Sequence, residues 1–111
     1  MMIILDSMRE GANASLKVIE VTLPASGAWT LLITENVNRT YVMLQNDHAN
    51  HPIKVGFASN TVAPTIGFDI AGSVKEGDID TKHEFSVAPI NAVWAKVLHG
   101  QDHLIQVVYD D

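Results

Sequence analysis

Ile53-Lys54-Val55-Gly56-Phe57 alternates apolar with polar or small residues. Successive side chains of a β-strand point to opposite faces, so Ile53, Val55 and Phe57 share one face while Lys54 and Gly56 take the other. Downstream, Ile66, Phe68 and Ile70 repeat the pattern, and Gly72 to Lys82 reads as a charged, Gly-containing connection. Upstream, Arg39 to Gln45 is rich in β-formers (Thr40, Tyr41, Val42) and is closed by the polar loop Asn46 to Pro52. Leu16 to Leu23 ends at a Pro-Ala-Ser-Gly turn, and Trp29 to Thr34 stops at Glu35-Asn36. His83, Phe85 and Val87 share one face of a short strand broken by Pro89. Ala92 to Leu98 and Leu104 to Tyr109 form a last pair, read as a hairpin around His99-Gly100-Gln101-Asp102-His103. These eight runs, with almost no helical periodicity, predict an all-β antiparallel sandwich of the jelly-roll type.

Residues 1–14 fall outside this rhythm and read as an N-terminal arm on a single sandwich domain of residues 15–111. Met1, Met2, Ile3, Ile4, Leu5 and Met8 are apolar, and the stretch after Leu5 reads as a flexible connection. Ordering a residue costs roughly 1–2 kcal/mol, and burying an Ile or Leu side chain gains about 1.5–3 kcal/mol. The arm is therefore worth ordering only where it docks, as an edge strand on its own sandwich or on a neighbouring subunit.

Composition narrows the chemistry. The net charge of -6, with seven scattered Lys and Arg residues, argues against a nucleic-acid partner. With no Cys, disulfides and thiolate chemistry are excluded. Met1 to Leu5 lacks the form of a signal peptide, and no run approaches the roughly 20 apolar residues of a membrane helix, so a soluble protein made in a cytoplasm and not associated with membrane is expected.

No Gly-x-Ser-x-Gly elbow, phosphate-cradling loop or dinucleotide fingerprint occurs, so neither a catalytic residue nor a cofactor is expected. His48 with His51, and His99 with His103, are spaced to share an ion, but both pairs sit in predicted loops and read as polar turn residues. A cupin-like metalloenzyme would need two of the five histidines, His83 included, to converge inside the sandwich. Asp78, Asp80 and Glu84 place carboxylates around one loop, which reads as solvated rather than as a calcium site. Trp29, Tyr41, Trp94 and Tyr109 lie in predicted strands. Alternation sets Trp94 beside Lys96 and opposite Val93, Ala95 and Val97, as a partly buried core or subunit-contact residue.

The run Asn38-Arg39-Thr40-Tyr41-Val42-Met43-Leu44-Gln45-Asn46, followed by Ile53-Lys54-Val55-Gly56-Phe57, resembles a pattern of small virion proteins of tailed bacteriophages. Ile90-Asn91-Ala92-Val93-Trp94-Ala95-Lys96 and Leu104-Ile105-Gln106-Val107-Val108 resemble their final hairpin. Length, acidity and pattern are most similar to the capsid decoration, or staple, proteins of short-tailed phages. The chain departs from them at Gly72-Ser73-Val74-Lys75-Glu76-Gly77-Asp78, where many relatives carry Pro-Gly. The resemblance implies a non-enzymatic structural protein on the outer capsid surface of a virion, synthesised in the host cytoplasm, that binds major capsid protein and further copies of itself. Met1, Met2, Ile3, Ile4, Leu5, Met8 and Trp94 are the expected contact residues, since Met side chains adapt to irregular surfaces. The competing expectation is a carbohydrate-binding module or a neck or tail-fibre adaptor.

Overall fold

The computed structural model of the chain describes residues 16–46, 51–70, 82–85 and 88–110. They form the strands β1 (Leu16–Leu23), β2 (Thr30–Ile33), β3 (Val42–Asn46), β4 (Ile53–Ala58), β5 (Phe68–Ile70), β6 (Lys82–Glu84), β7 (Ala92–Val97) and β8 (His103–Asp110). The expected N-terminal arm lies outside the described residues. Among the described residues no helix is long and apolar enough to cross a membrane.

The alternation read from sequence becomes the two faces of two four-stranded sheets. Sheet A has the order β1-β8-β3-β6 and sheet B the order β2-β7-β4-β5, with every pairing antiparallel. Leu23, Val42, Leu44, Ile105 and Val107 of sheet A pack with Ile53, Val55, Ile70, Val93, Ala95 and Val97 of sheet B, all buried. A bulge between Leu31 and Ile33 breaks the alternation of β2 and turns both Leu32 and Ile33 inward.

Every connection except β4 to β5 carries the chain from one sheet to the other. This is the jelly-roll wrapping, and it corrects the expected final hairpin. β7 pairs with β2 and β4, whereas β8 pairs with β1 and β3. Alternation specifies which face a strand buries, not which neighbour it pairs with, and both strands have an apolar face to bury between the sheets. Ile66 is a second correction: it precedes β5 and is 82% exposed.

The corners are held by polar groups. Arg39, expected to open a strand, sits instead between β2 and β3, with a buried side chain. Its guanidinium donates to the carbonyls of Pro89 (3.0 Å), Asn91 (3.2 Å) and Thr34. Asn36 N–H donates to the Ile90 carbonyl at 2.9 Å, knitting the same two loops.

At the end of β8, the Asp110 carboxylate accepts from the backbone N–H groups of Thr40 and Tyr41, each at 2.9 Å, and from the Thr40 hydroxyl. Partial burial pushes the Asp110 pKa up, but these hydrogen bonds outweigh it and hold the carboxyl below its ordinary 3.8. A carboxyl depressed by folding stabilises the fold above its unfolded value and loses that contribution as pH falls through the folded value. Stability, followed by urea unfolding, is expected to fall as pH drops below about 4, and Asp110→Asn is expected to flatten that limb while lowering the plateau at neutral pH.

Candidate interaction surfaces

The outer face of sheet B carries the predicted contact residue Trp94. Pairing sets Trp94 between Leu31 of β2 and Gly56 of β4. Its indole N–H donates to the Ser59 carbonyl at 3.0 Å. Residues 59–67 fold back over β4 because Gly56 has no side chain: a Cβ there would stand 2.7 Å from the Ile66 carbonyl oxygen and 2.8 Å from Pro64 Cγ. Trp94 is half-buried as a result. Beside it, the Lys96 ammonium lies 4.8 Å from the ring centre of Trp29, and Lys54 pairs with Asp69 at 2.7 Å. The two indoles are thus engaged within the chain: one donates its N–H to Ser59, and the other is covered by a lysine.

The histidines are arranged differently from the turn residues expected. His103 is the first residue of β8 and is buried, since its parity with Ile105 and Val107 turns it inward. Asn46, also buried, donates through Nδ2 to the carbonyls of His51 (3.0 Å) and Ile70 (3.3 Å), which leaves its Oδ1 to accept from His103 Nε2. With Nε2 protonated, neutral His103 accepts at Nδ1, and His99 Nε2 donates to it at 2.9 Å. His51 stacks on His99 with ring centres 4.1 Å apart. Three of the five histidines therefore meet at one end of the sandwich, yet the facing nitrogens of His99 and His103 share a proton. No group of three metal-ligating side chains occurs among the described residues. His48, the His83 side chain, Asp78 and Asp80 lie outside the described residues, as do Met1, Met2, Ile3, Ile4, Leu5 and Met8.

Sequence reasoning missed two apolar surfaces. On the outer face of sheet A, Val18 of β1, Val108 of β8 and Met43 of β3 stand in one register row, with Leu16 two residues away on β1; Leu104 lies further along β8, beyond the polar row of Glu20, Gln106 and Gln45. Leu16, Val18 and Leu104 are 59%, 65% and 48% exposed. Their alternation was visible, but residues on the second face of a strand read as ordinary surface until strand order joins them. Tyr41 and Glu84 border this face, and among the described residues β1, with eight residues, is the edge strand of sheet A. The second surface lies at the end of the sandwich opposite the histidines. There Phe57, Phe68 and Phe85 meet with ring centres 5.7–6.1 Å apart, and Phe57 and Phe68 with Ile66 line an open, apolar cavity of about 310 Å³.

No protein-family model and no curated protein matches this sequence. A solved structure with the same architecture is a protein of Bacillus endospore appendages, which form disulfide-linked pili. It has a TM-score of 0.54 and 13% sequence identity, with 86% of this chain and 84% of that one covered. At that identity the likeness is one of fold, and the 111 residues of this chain hold no Cys with which to make such links. The comparisons provide no counterpart for the resemblance to phage decoration proteins.

Burial, then the hydrogen bond to Glu84 and its negative charge, push the Tyr41 pKa up to about 12. Ultraviolet titration is therefore expected to show a tyrosine ionising near 12. Glu84→Gln should bring that step to lower pH; an unmoved step would mean that the carboxylate does not face the phenol.

Proposed function

We propose that this protein is a non-enzymatic structural protein that attaches to an assembled protein shell, and that the shell is a phage capsid whose neighbouring major subunits it staples from outside. The observation that carries the reading is the apolar patch of Leu16, Val18, Val108 and Met43 on sheet A, on and beside the strand that ends this sheet among the described residues. Contiguous exposed apolar surface rimmed by polar residues marks an attachment face. The rigid jelly roll behind it spends its buried polar groups on the protein's own corners, with Arg39 on loop carbonyls and Asn46 on His51, Ile70 and His103. Many copies on a repeating shell would sum modest contacts, so weak binding per copy suffices.

A second reading, a fibre or neck subunit, is favoured by the shared fold of the endospore appendage protein. A carbohydrate-binding role has less support. Trp94 donates its N–H to Ser59, and a sugar stacking on Trp29 would have to move Lys96.

Co-sedimentation with undecorated mature capsids of the source virus tests the proposal. The intact protein is expected to bind saturably with fixed stoichiometry. Val18→Glu combined with Leu16→Glu should weaken binding at least tenfold, with an unchanged unfolding midpoint, because both side chains are exposed. Absence of binding, with concentration-dependent fibres of the protein alone, would overturn capsid attachment in favour of the fibre subunit.

A further inference from the structure

We infer that the Phe57–Ile66–Phe68 mouth of the sandwich is a docking site for the chain's own segment Met1–Leu5. The mouth is apolar, and its volume of about 310 Å³ stands at the small end of the roughly 300–1,000 Å³ range of binding pockets, suited to a few aliphatic side chains. Phe57 is 39% exposed although it belongs to the inward parity of β4, and Ile66, just before β5, is 82% exposed. Phe57 meets the rings of Phe68 and Phe85 and still keeps part of its surface open, whereas Val55 and Val93 are fully buried deeper in the sandwich.

The chain outside the described structure supplies the occupant. Fifteen residues precede Leu16, and the first five, Met1-Met2-Ile3-Ile4-Leu5, are all apolar. Register places the exit of this segment at the same end of the sandwich as the mouth. Leu16 pairs with Asp110, Tyr109 pairs with Val42, Phe85 N–H donates to the Val42 carbonyl, and Phe85 packs edge-on against Phe57. Neighbouring strands lie about 4.8 Å apart, so only some 10–20 Å of sheet separates Leu16 from the mouth. Residues 6–15 can span roughly 33 Å when extended. They carry Asp6, Arg9, Glu10, Gly11 and Asn13, a composition suited to a solvated connection. A tether this short holds its end at millimolar effective concentration, which favours the chain's own mouth over a second copy's. Docked there, the five apolar residues are kept from water before any attachment is made. The inference does not depend on what sheet A binds.

Disulfide trapping tests this directly, because the chain has no Cys of its own to compete. In the full-length protein, Ile4→Cys with Ile66→Cys is expected to close an intramolecular disulfide at least tenfold faster than Ile4→Cys with Ser26→Cys, placed in the turn after β1. Both acceptor positions are exposed, and circular dichroism identical to the parent's verifies that the variants are folded. Equal closure rates for the two pairs would overturn the docking site. Cross-linked dimers from a mixture of the Ile4→Cys and Ile66→Cys single variants, exceeding the intramolecular product, would overturn its occupation by the chain's own segment.

Discussion

The sandwich depends on how its chain turns corners. A jelly roll sends nearly every connection from one sheet to the other, and each crossing leaves main-chain carbonyls that no strand can pair. Arg39 meets that constraint at the mouth end. One guanidinium, carried on the crossing from β2 to β3, gathers the carbonyls of Thr34, Pro89 and Asn91, the loops that leave β2 and enter β7. A planar fork with five N–H donors can serve several acceptors at once, and a lysine ammonium cannot reproduce that geometry. Asn46 and His103 do the corresponding work at the far end, where Asn46 ties the start of β4 and the end of β5 to β8.

With the corners satisfied from within, the outward faces are left to differ. Sheet B is overlaid by residues 59–67 lying over Gly56, with the Trp94 hydrogen bond and Lys96 over Trp29 beside them. Among the described residues, sheet A keeps an exposed apolar patch at its edge strand. That asymmetry gives the protein a direction. The proposed function makes sheet A the attaching face, whereas Trp94, the residue singled out from sequence, holds a loop through its hydrogen bond to Ser59.

Much of the architecture was legible because burial follows parity. Ile53 and Val55, Val93 and Val97, and Ile105 and Val107 are buried where period two places them. What parity cannot encode is pairing, so the short link between β7 and β8 read as a hairpin although it crosses between sheets. Polar residues at strand boundaries misled for a related reason. His103 continues the inward series of Ile105 and Val107 and is buried, but its polarity after Gln101-Asp102 read as a turn. Arg39, beside β-formers, read as the head of a strand when its function is to bridge two loops. The apolar patch on sheet A was hidden because Val18, Val108 and Met43 come from strands far apart in sequence and become neighbours only through strand order.

Urea unfolding of Arg39→Met at neutral pH tests the claim that corner closure governs the fold. Methionine keeps the apolar stem and removes the donors, leaving the carbonyls of Thr34, Pro89 and Asn91 without the guanidinium. The predicted result is a single cooperative transition destabilised by about 3 kcal/mol or more, since charge-assisted hydrogen bonds contribute roughly 1.5–3 kcal/mol each. A midpoint within about 0.5 kcal/mol of the parent's, as for an ordinary surface substitution, would contradict it.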